Sequence, residues 1–577
     1  MSFGNPGLED QPHAEQLSAL ATVEDLGYPD SHGPLGGLGN LALVPRETES
    51  LHTVEETNRL NEVYSLTRNP VTYEVTVKSN ISREDFERVT HPDDWNYITD
   101  LAETLKGSNW VFINPTWEGG GVAMIRPTAV HLLSKLGINA HWGVMEPIKD
   151  TAKGNPFVFT KHMHNASQRM TDEGLSQEGK DLHWYWADEE NGPVLEKQDY
   201  VRDADFIIID DPQPTPLIKR LKLANPHAKF IWRNHIDTDG ELMSDPATPQ
   251  GEVASYLLDE CGVRDVDAVI THPVQQFVHP ELDGKTYFAP ATFDHFDNLN
   301  RHLSELEIVA GIEFINSEIV SKNEELKAAG READSQPLLS LNPDKKRITL
   351  IARFDESKGM DKAIEMGAQT RQKMRAMGVP EEDLPEVVIV GNGSRDDPSG
   401  VPMFEKMLDI RREYQDEMGS ITLMRLKHNY DAMNALISRS HIIMQTSDAE
   451  GLETRVSDAI KHGKPVVVSN RGGIKTQVAE GKSGIVLDYD KPGHDLNRGS
   501  DFMVALLTNP AAYEAMVETT KEQAEVYNLR EFTTPANVAR FLRIANILRS
   551  EPGRGADKTW LMSELSKIHA EKPQPAA

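Results

Sequence analysis

Apolar residues in this chain fall into short unbroken runs separated by longer stretches of helical periodicity. That is the pattern of strands buried on both faces with helices packed over them. The clearest instance is the segment 442–470, IIMQTSDAEGLETRVSDAIKHGKPVVVSN. It reads as a strand over 442–446, a tight turn carrying Glu450-Gly451, a helix to about His462, then Gly463-Lys464-Pro465 and a second strand. In such a strand–helix–strand unit the turn after the first strand faces the ligand crevice of an open parallel sheet.

The alternation extends through most of the chain. Upstream, the pattern predicts an alternating strand over 72–77, a helix near 92–105, and strands over 110–114, 138–144, 205–209, 229–236 and 268–271 with helices between several of them. A second series predicts strands over 347–352, 386–390, 421–425, 442–446 and 465–469. Both series have the order of a doubly wound α/β sheet. The stretch 295–345 is helical and then polar, with AAGREADSQP at 328–337 marking a surface break. Residues 510–549 carry two helical patterns, and the tail after 551 an amphipathic segment around 560–570 and a Pro-rich end. The first 70 residues are polar and rich in Gly, Pro, Asp and Glu. The expected division is a loosely structured arm (1–70), a first Rossmann-like domain (71–300), a helical linker (301–345), a second Rossmann-like domain (346–509), and C-terminal helices with a tail (510–577).

Composition narrows the function classes. At 577 residues, 38% hydrophobic and 7% aromatic, the chain is long enough for two or three domains with full cores. No apolar run approaches the roughly 18 residues of a membrane span. The start has neither a basic segment nor an apolar core, and the one cysteine, Cys261, excludes an internal disulfide framework. The expectation is a cytoplasmic protein without a membrane partner. A formal charge of −31 repels polyanions, so no nucleic-acid partner is expected, and a phosphate site must concentrate its own cations.

Glu450 and Asp458 stand eight residues apart, on roughly the same face of the predicted helix. Taken alone, such a pair is most often a solvated helix face. The wider string, acid-Gly-apolar followed eight positions later by a second acid and closing on Gly-Lys-Pro-Val, resembles the signature of retaining glycosyltransferases of the family 4 type. The variant EGLETRVSDAIKHGKPVV is closest to the trehalose synthase and trehalose phosphorylase branch. The resemblance implies the GT-B fold: two doubly wound Rossmann-like domains facing across a cleft, with C-terminal helices crossing back to the first domain. It implies Glu450 as a donor-sugar contact, joined by Gly451 and Leu452, and Asp458 as the ribose contact of a nucleotide. Two departures stand out: Asp458 replaces the usual Glu, and Glu453 occupies a position where many members have Gly.

Other segments carry the resemblance further. Arg353 and Lys358, in IARFDESKG, match the family's phosphate clamp. A fork-shaped guanidinium and an ammonium there would neutralise the charge that a leaving phosphate gains. The loop NPTWEGGGVA at 114–123, with Gly120 and Gly121, is similar to the branch's acceptor-side glycine loop. The frame WRNHID at 232–237 is similar to the branch's strand end, where the resemblance implies His235 beside the anomeric centre. Gln213 and Asp237 are the candidates for acceptor hydroxyls. Gly472 and Gly473, in NRGGIKTQ, a loop expected to open another helix after a strand, resemble the family's Gly-Gly loop, whose N–H groups would meet an anion. The acidic pairs at 203/205, 265/267 and 488/490 are ordinary in so acidic a chain. His162-Met-His164 lacks a third ligand, and Cys261 lacks a histidine to activate it. No metal and no cofactor is expected.

The implied function is a retaining, metal-independent glucosyltransferase. Its partners would be a nucleoside diphosphate sugar, as donor of glucose, and a small sugar acceptor, glucose itself giving trehalose. Two alternatives stay open: a trehalose phosphorylase using inorganic phosphate, and a nucleotide-sugar-binding protein without turnover. The donor sugar, the base and the oligomeric state, a homo-oligomer among the options, are not legible.

Overall fold

A computed structural model describes residues 63–550 apart from 118–120, 393–399, 428 and 490–494. The first domain holds β1 (Ser65–Arg68), β2 (Val75–Lys78), β3 (Asn109–Asn114), β4 (Asn139–Val144), β5 (Phe206–Asp210), β6 (Lys229–Arg233), β7 (Ala268–Thr271) and β8 (Thr286–Phe288). β3 to β8 form a six-stranded sheet in the order β4-β3-β5-β6-β7-β8, parallel throughout. The second holds β9 (Arg347–Ile351), β10 (Glu386–Asn392), β11 (Ile421–Leu426), β12 (Ile442–Gln445), β13 (Val466–Ser469) and β14 (Gly484–Leu487). They form a second parallel sheet in the order β11-β10-β9-β12-β13-β14. Central strands such as Phe206-Ile-Ile-Ile-Asp210 are buried at every position, because helices cover both faces.

Three strands lie outside the expected set, and each lacks the signal that periodicity reads. β1 is half exposed and pairs antiparallel with β2, within the stretch expected to be an arm. β8 is three residues long, and β14 opens on a glycine in a polar segment.

Helices that matter for the site are α1 (Pro92–Leu105), α2 (Gly121–Lys135), α3 (Pro156–Ser167), α4 (Glu305–Ala328), α5 (Met360–Ala376), α6 (Tyr430–Arg439), α7 (Thr454–Lys461), α8 (Pro510–Gln523) and α9 (Thr534–Ser550). α9 crosses back onto the first domain and joins its core: Phe541 meets Phe112 edge to face at 5.7 Å, and Asn537 donates to the Pro290 carbonyl at 2.6 Å. Arg530, between α8 and α9, is bidentate to Asp94 of α1. The expected crossing of the C-terminal helices is thus observed, and it fastens the two domains behind the cleft. The tail segment around 560–570 lies outside the described residues.

In each sheet one strand pair marks the point where the winding reverses, β3 with β5 and β9 with β12. The crevice outside the carboxyl ends of such strands is where open α/β sheets take ligands. Here the two crevices face one another. No helix among the described residues is long and apolar enough to cross a membrane.

Candidate active site

The loops that leave β3, β5, β6 and β7 meet those leaving β9 and β12 around a cavity of about 180 Å³. Its wall contains Gly121, Gln213, His235, Arg353, Lys358, Glu450, Gly451 and Leu452, eight of the residues singled out from sequence. Gly120 lies outside the described residues. Asp237, Asp458, Gly472 and Gly473 are not on the wall, and each is placed elsewhere by its bonding.

Lys358 ends a short 3-10 turn after β9. Gly359 follows at φ 56°, and a Cβ there would collide with the Thr446 carbonyl, so only glycine lets α5 start this close to β12. The Lys358 ammonium is held between two carboxylates, in a very short contact with Glu450 and at 2.8 Å from Glu453 Oε2. Burial pulls against its charge, but Glu450 and Glu453 hold it above the usual lysine range. Burial pushes the Glu450 carboxyl up to about 7; Lys358 opposes this and neighbouring Glu453 adds to it. Glu453 itself stays below the usual carboxylate range: burial is outweighed by Lys358 and by Arg455.

A cation from the first domain completes the basic wall. Lys161 of α3 reaches across the cleft to Asp355, in a very short ion pair, while Asp355 also accepts from the Ser357 N–H and hydroxyl at 2.9 Å each. Lys161, Arg353 and Lys358 thus line one cavity from both domains.

On the opposite wall, His235 follows β6. Its N–H donates to Asp211 Oδ1 at 3.2 Å, and its Nε2 lies 3.3 Å from Asp210 Oδ1. Asp210 is buried against Arg126 of α2, the side chains of both fully covered. Burial, with Arg233 nearby, lowers the His235 pKa to about 4, so its imidazole is neutral near pH 7. Asp211 adopts φ 65°, a left-handed conformation uncommon outside glycine and the kind of local strain that concentrates at functional loops. The His272 ring packs edge-on against His235 at 5.6 Å and also lines the cavity.

The remaining predicted residues act on the protein itself. Asp237 accepts from the Glu450 N–H at 3.2 Å and faces Arg169, and burial raises its carboxyl to about 6 against the pull of Arg169. It ties the first domain to the turn that carries Glu450; it does not face the cavity. Gly473 donates its N–H to the Gly451 carbonyl at 2.9 Å, so that group is occupied by protein and not offered to an anion. Gly472 packs against the Glu450 carbonyl in the same contact. The expected helix after this loop is a short 3-10 turn, Ile474–Gln477. Asp458, on α7, is 1% exposed: Oδ1 accepts from Asn300 Nδ2 at 2.8 Å and Oδ2 pairs with Arg455 Nη1 at 2.6 Å. Burial raises its pKa, with Arg455 and Asn300 opposing.

Sequence reasoning missed Lys161, Asp211, His272 and Asp355. Asp355 had a signal, since it sits inside the Arg353-to-Lys358 segment; Lys161 had none of its own and precedes the His162-Met-His164 pair set aside as a coincidence. Within that pair His164 lines the cavity, while His162 bonds the Gly174 carbonyl. Lys161 and His272 come from loops and helices whose convergence no local pattern encodes. Among the described residues no group of three or more His, Cys, Asp or Glu could hold a metal ion. Cys261 is buried, which pushes its thiol up to about 12.

Two families match the two halves: "Trehalose synthase, N-terminal domain" over residues 112–279 and "Glycosyl transferases group 1" over 332–523. A trehalose phosphorylase of Grifola frondosa is 30% identical over 80% of this chain and 60% of its own length. The chain therefore spans about three fifths of the fungal relatives it matches. A trehalose synthase of Thermococcus litoralis is 30% identical over 82% of this chain and 99% of its own length. Among solved structures, an α,α-trehalose 6-phosphate synthase of Burkholderia multivorans shares the fold at a TM-score of 0.52 and 11% identity, covering 77% of this chain and 99% of that one.

Proposed function

The chain belongs to the glycosyltransferases of the trehalose synthase and trehalose phosphorylase branch, with the GT-B fold, and on that premise we propose that it is a retaining trehalose phosphorylase. The reaction transfers a glucosyl group between glucose and inorganic phosphate. The observation that carries the choice of phosphate is the state of Asp458. A nucleotide donor needs a ribose partner at that end of the motif, and here the only acid at the position is covered and bonded by Asn300 and Arg455. Inorganic phosphate needs no such partner.

In this reading Arg353 and Lys358 hold the phosphate, with Lys161 closing over it from the first domain. Glu450 accepts hydrogen bonds from hydroxyls of the transferred glucose, and Gly121 and Gln213 border the second glucose. The C1–O bond to the second glucose breaks through an oxocarbenium-like transition state. A phosphate oxygen bonds C1 on the face the leaving oxygen vacates, and the phosphate's proton passes to that oxygen. Neutral His235 lies beside the reacting carbon and adds no positive charge to it. The clamp cations stabilise the charge on phosphate, so no metal is required. Closure of the two domains excludes water, which would otherwise hydrolyse the sugar cation.

A second reading, transfer from a nucleoside diphosphate glucose to glucose, is favoured by the near-complete coverage of the Thermococcus litoralis trehalose synthase. The test is incubation of the protein with trehalose, with and without phosphate, beside incubation of glucose with a panel of nucleoside diphosphate glucoses. The proposal expects α-glucose 1-phosphate only when phosphate is present. Nucleotide release without any phosphate-dependent cleavage would overturn it in favour of the second reading, and β-glucose 1-phosphate would refute retention.

A further inference from the structure

Glu453 is the residue immediately before α7, and its side chain has two partners. Oε1 accepts from the Arg455 N–H at 3.2 Å and so caps the helix, while Oε2 lies 2.8 Å from the Lys358 ammonium. Its backbone is pinned on both sides by one buried amide: the Glu453 N–H donates to Gln477 Oε1 at 3.3 Å, and Gln477 Nε2 donates to the Glu453 carbonyl at 2.9 Å. Gln477 is held in turn by Ser457 Oγ at 2.8 Å. The carboxylate is therefore fixed in place between the clamp lysine and the first turn of α7.

That position decides what the clamp can hold. A helix N-terminus next to the clamp lysine is an attractive place for a second negative group, since its N–H groups and its dipole both favour anions. Here a carboxylate already occupies it. A single phosphoryl group on Arg353 and Lys358 shares the lysine with Glu453, whereas a second one, extended toward α7, would meet the fixed carboxylate directly in a poorly solvated site. Like charges so placed repel, and such repulsion is how sites reject the wrong partner.

We propose that Glu453 is a specificity-determining residue that limits the anion in the clamp to one phosphoryl group and excludes diphosphates. The inference rests on the phosphorylase reading and extends it to a named residue. A role in helix capping alone is the simpler account, and the two differ in what Glu453→Gln does. Glutamine retains an oxygen to accept from the Arg455 N–H but loses the charge.

The test uses inorganic phosphate and inorganic pyrophosphate as probes, because neither needs a ribose or base site. Affinities are measured by calorimetry on the full chain, so the result does not depend on turnover. Wild type should bind pyrophosphate at least about tenfold more weakly than phosphate. Glu453→Gln should reduce that ratio tenfold or more, a change equivalent to about 1.4 kcal/mol. Glu453→Gly, which removes cap and charge together, should do the same with a lower melting temperature. An unchanged ratio in both variants, or a wild type that binds the two anions equally, overturns the proposal. Absence of phosphate-dependent trehalose cleavage with the ratio behaving as expected would instead refute the phosphorylase reading alone.

Discussion

Gly451→Ala tests the claim that the two domains meet at the turn carrying Glu450. A methyl group on residue 451 would overlap the His235 carbonyl oxygen of the first domain and stand 2.8 Å from His272 Cδ2, where ordinary contact begins at 3.4 Å. Both neighbours belong to β6 and β7 loops of the opposite domain, and the obstructing atom of His235 is backbone, which cannot rotate away. The cleft must therefore open by about 1 Å, or the turn must retreat by as much. Misplacement on that scale costs on the order of 10²-fold in rate when it separates groups that act on one reacting centre. Overpacking also costs about 1–3 kcal/mol of stability. The expected result is a turnover at least about 10²-fold lower with the fold retained. Turnover is assayed by phosphate-dependent glucose release, and stability by thermal melting. If the variant kept near-normal turnover and an unchanged melting temperature, the domains would not be in contact at this turn in the working enzyme.

Glu450→Gln should lower turnover about 10²-fold or more, equivalent to roughly 3 kcal/mol of transition-state stabilisation; steady-state rates near wild type would remove Glu450 from the sugar site. Because the Glu450 pKa is raised to about 7, the folded state holds its proton more tightly than the unfolded chain. Its contribution to stability is present at low pH and lost as pH rises through the window from the ordinary carboxylate value to about 7. Melting temperatures of Glu450→Gln and wild type should diverge in favour of the variant as pH rises from the ordinary carboxylate value to about 7 and stay offset above it, and a parallel pH dependence across that window would contradict the shift. Arg353→Ala and Lys358→Ala should each reduce kcat/KM by about 10²–10³-fold, with weaker phosphate binding in calorimetry; normal phosphate affinity in both would dismiss the clamp. Asp210→Ala leaves the fully buried Arg126 guanidinium without its ion partner, and denaturant unfolding should show a loss of about 3–5 kcal/mol; a loss under about 1 kcal/mol would mean water reaches Arg126.

How much of this was legible follows from what each signal measures. All eleven expected strands were found, because strands such as β3, β5, β9 and β13 are buried on both faces and read as unbroken apolar runs. β8 and β14 are short and break that pattern. The clamp and the Glu450 turn were legible because a loop constrained by glycine and charge is itself a local pattern. Lys161 was not, since it becomes part of the site only when α3 faces Asp355, 194 residues away. Asp458 shows the opposite limit. Its spacing from Glu450 is a property of the helix, but the side chain's partner is Asn300, contributed by the segment that joins the domains. Helical spacing places a residue on a face and says nothing of what covers that face.

The charge balance of the cavity also bears on the acidity of the whole chain. A formal charge of −31 works against capture of any anion. Yet the ammonium groups lining the site are paired with carboxylates: Lys161 with Asp355, and Lys358 with Glu450 and Glu453. Anion binding is then an exchange of partners. If phosphate is the anion, as proposed, each lysine gives up part of a carboxylate contact when it binds, so the gain per contact is a difference between two strong interactions and the net affinity should be modest. On the phosphorylase reading, modest affinity suits a substrate that must also leave as a product in the reverse direction. The arrangement also couples binding to geometry, because Lys161 can exchange Asp355 for phosphate only while α3 lies against the β9 loop. On the phosphorylase reading, phosphate capture and domain closure draw on the same side chain, and the paired carboxylates keep the cations in place for the reaction.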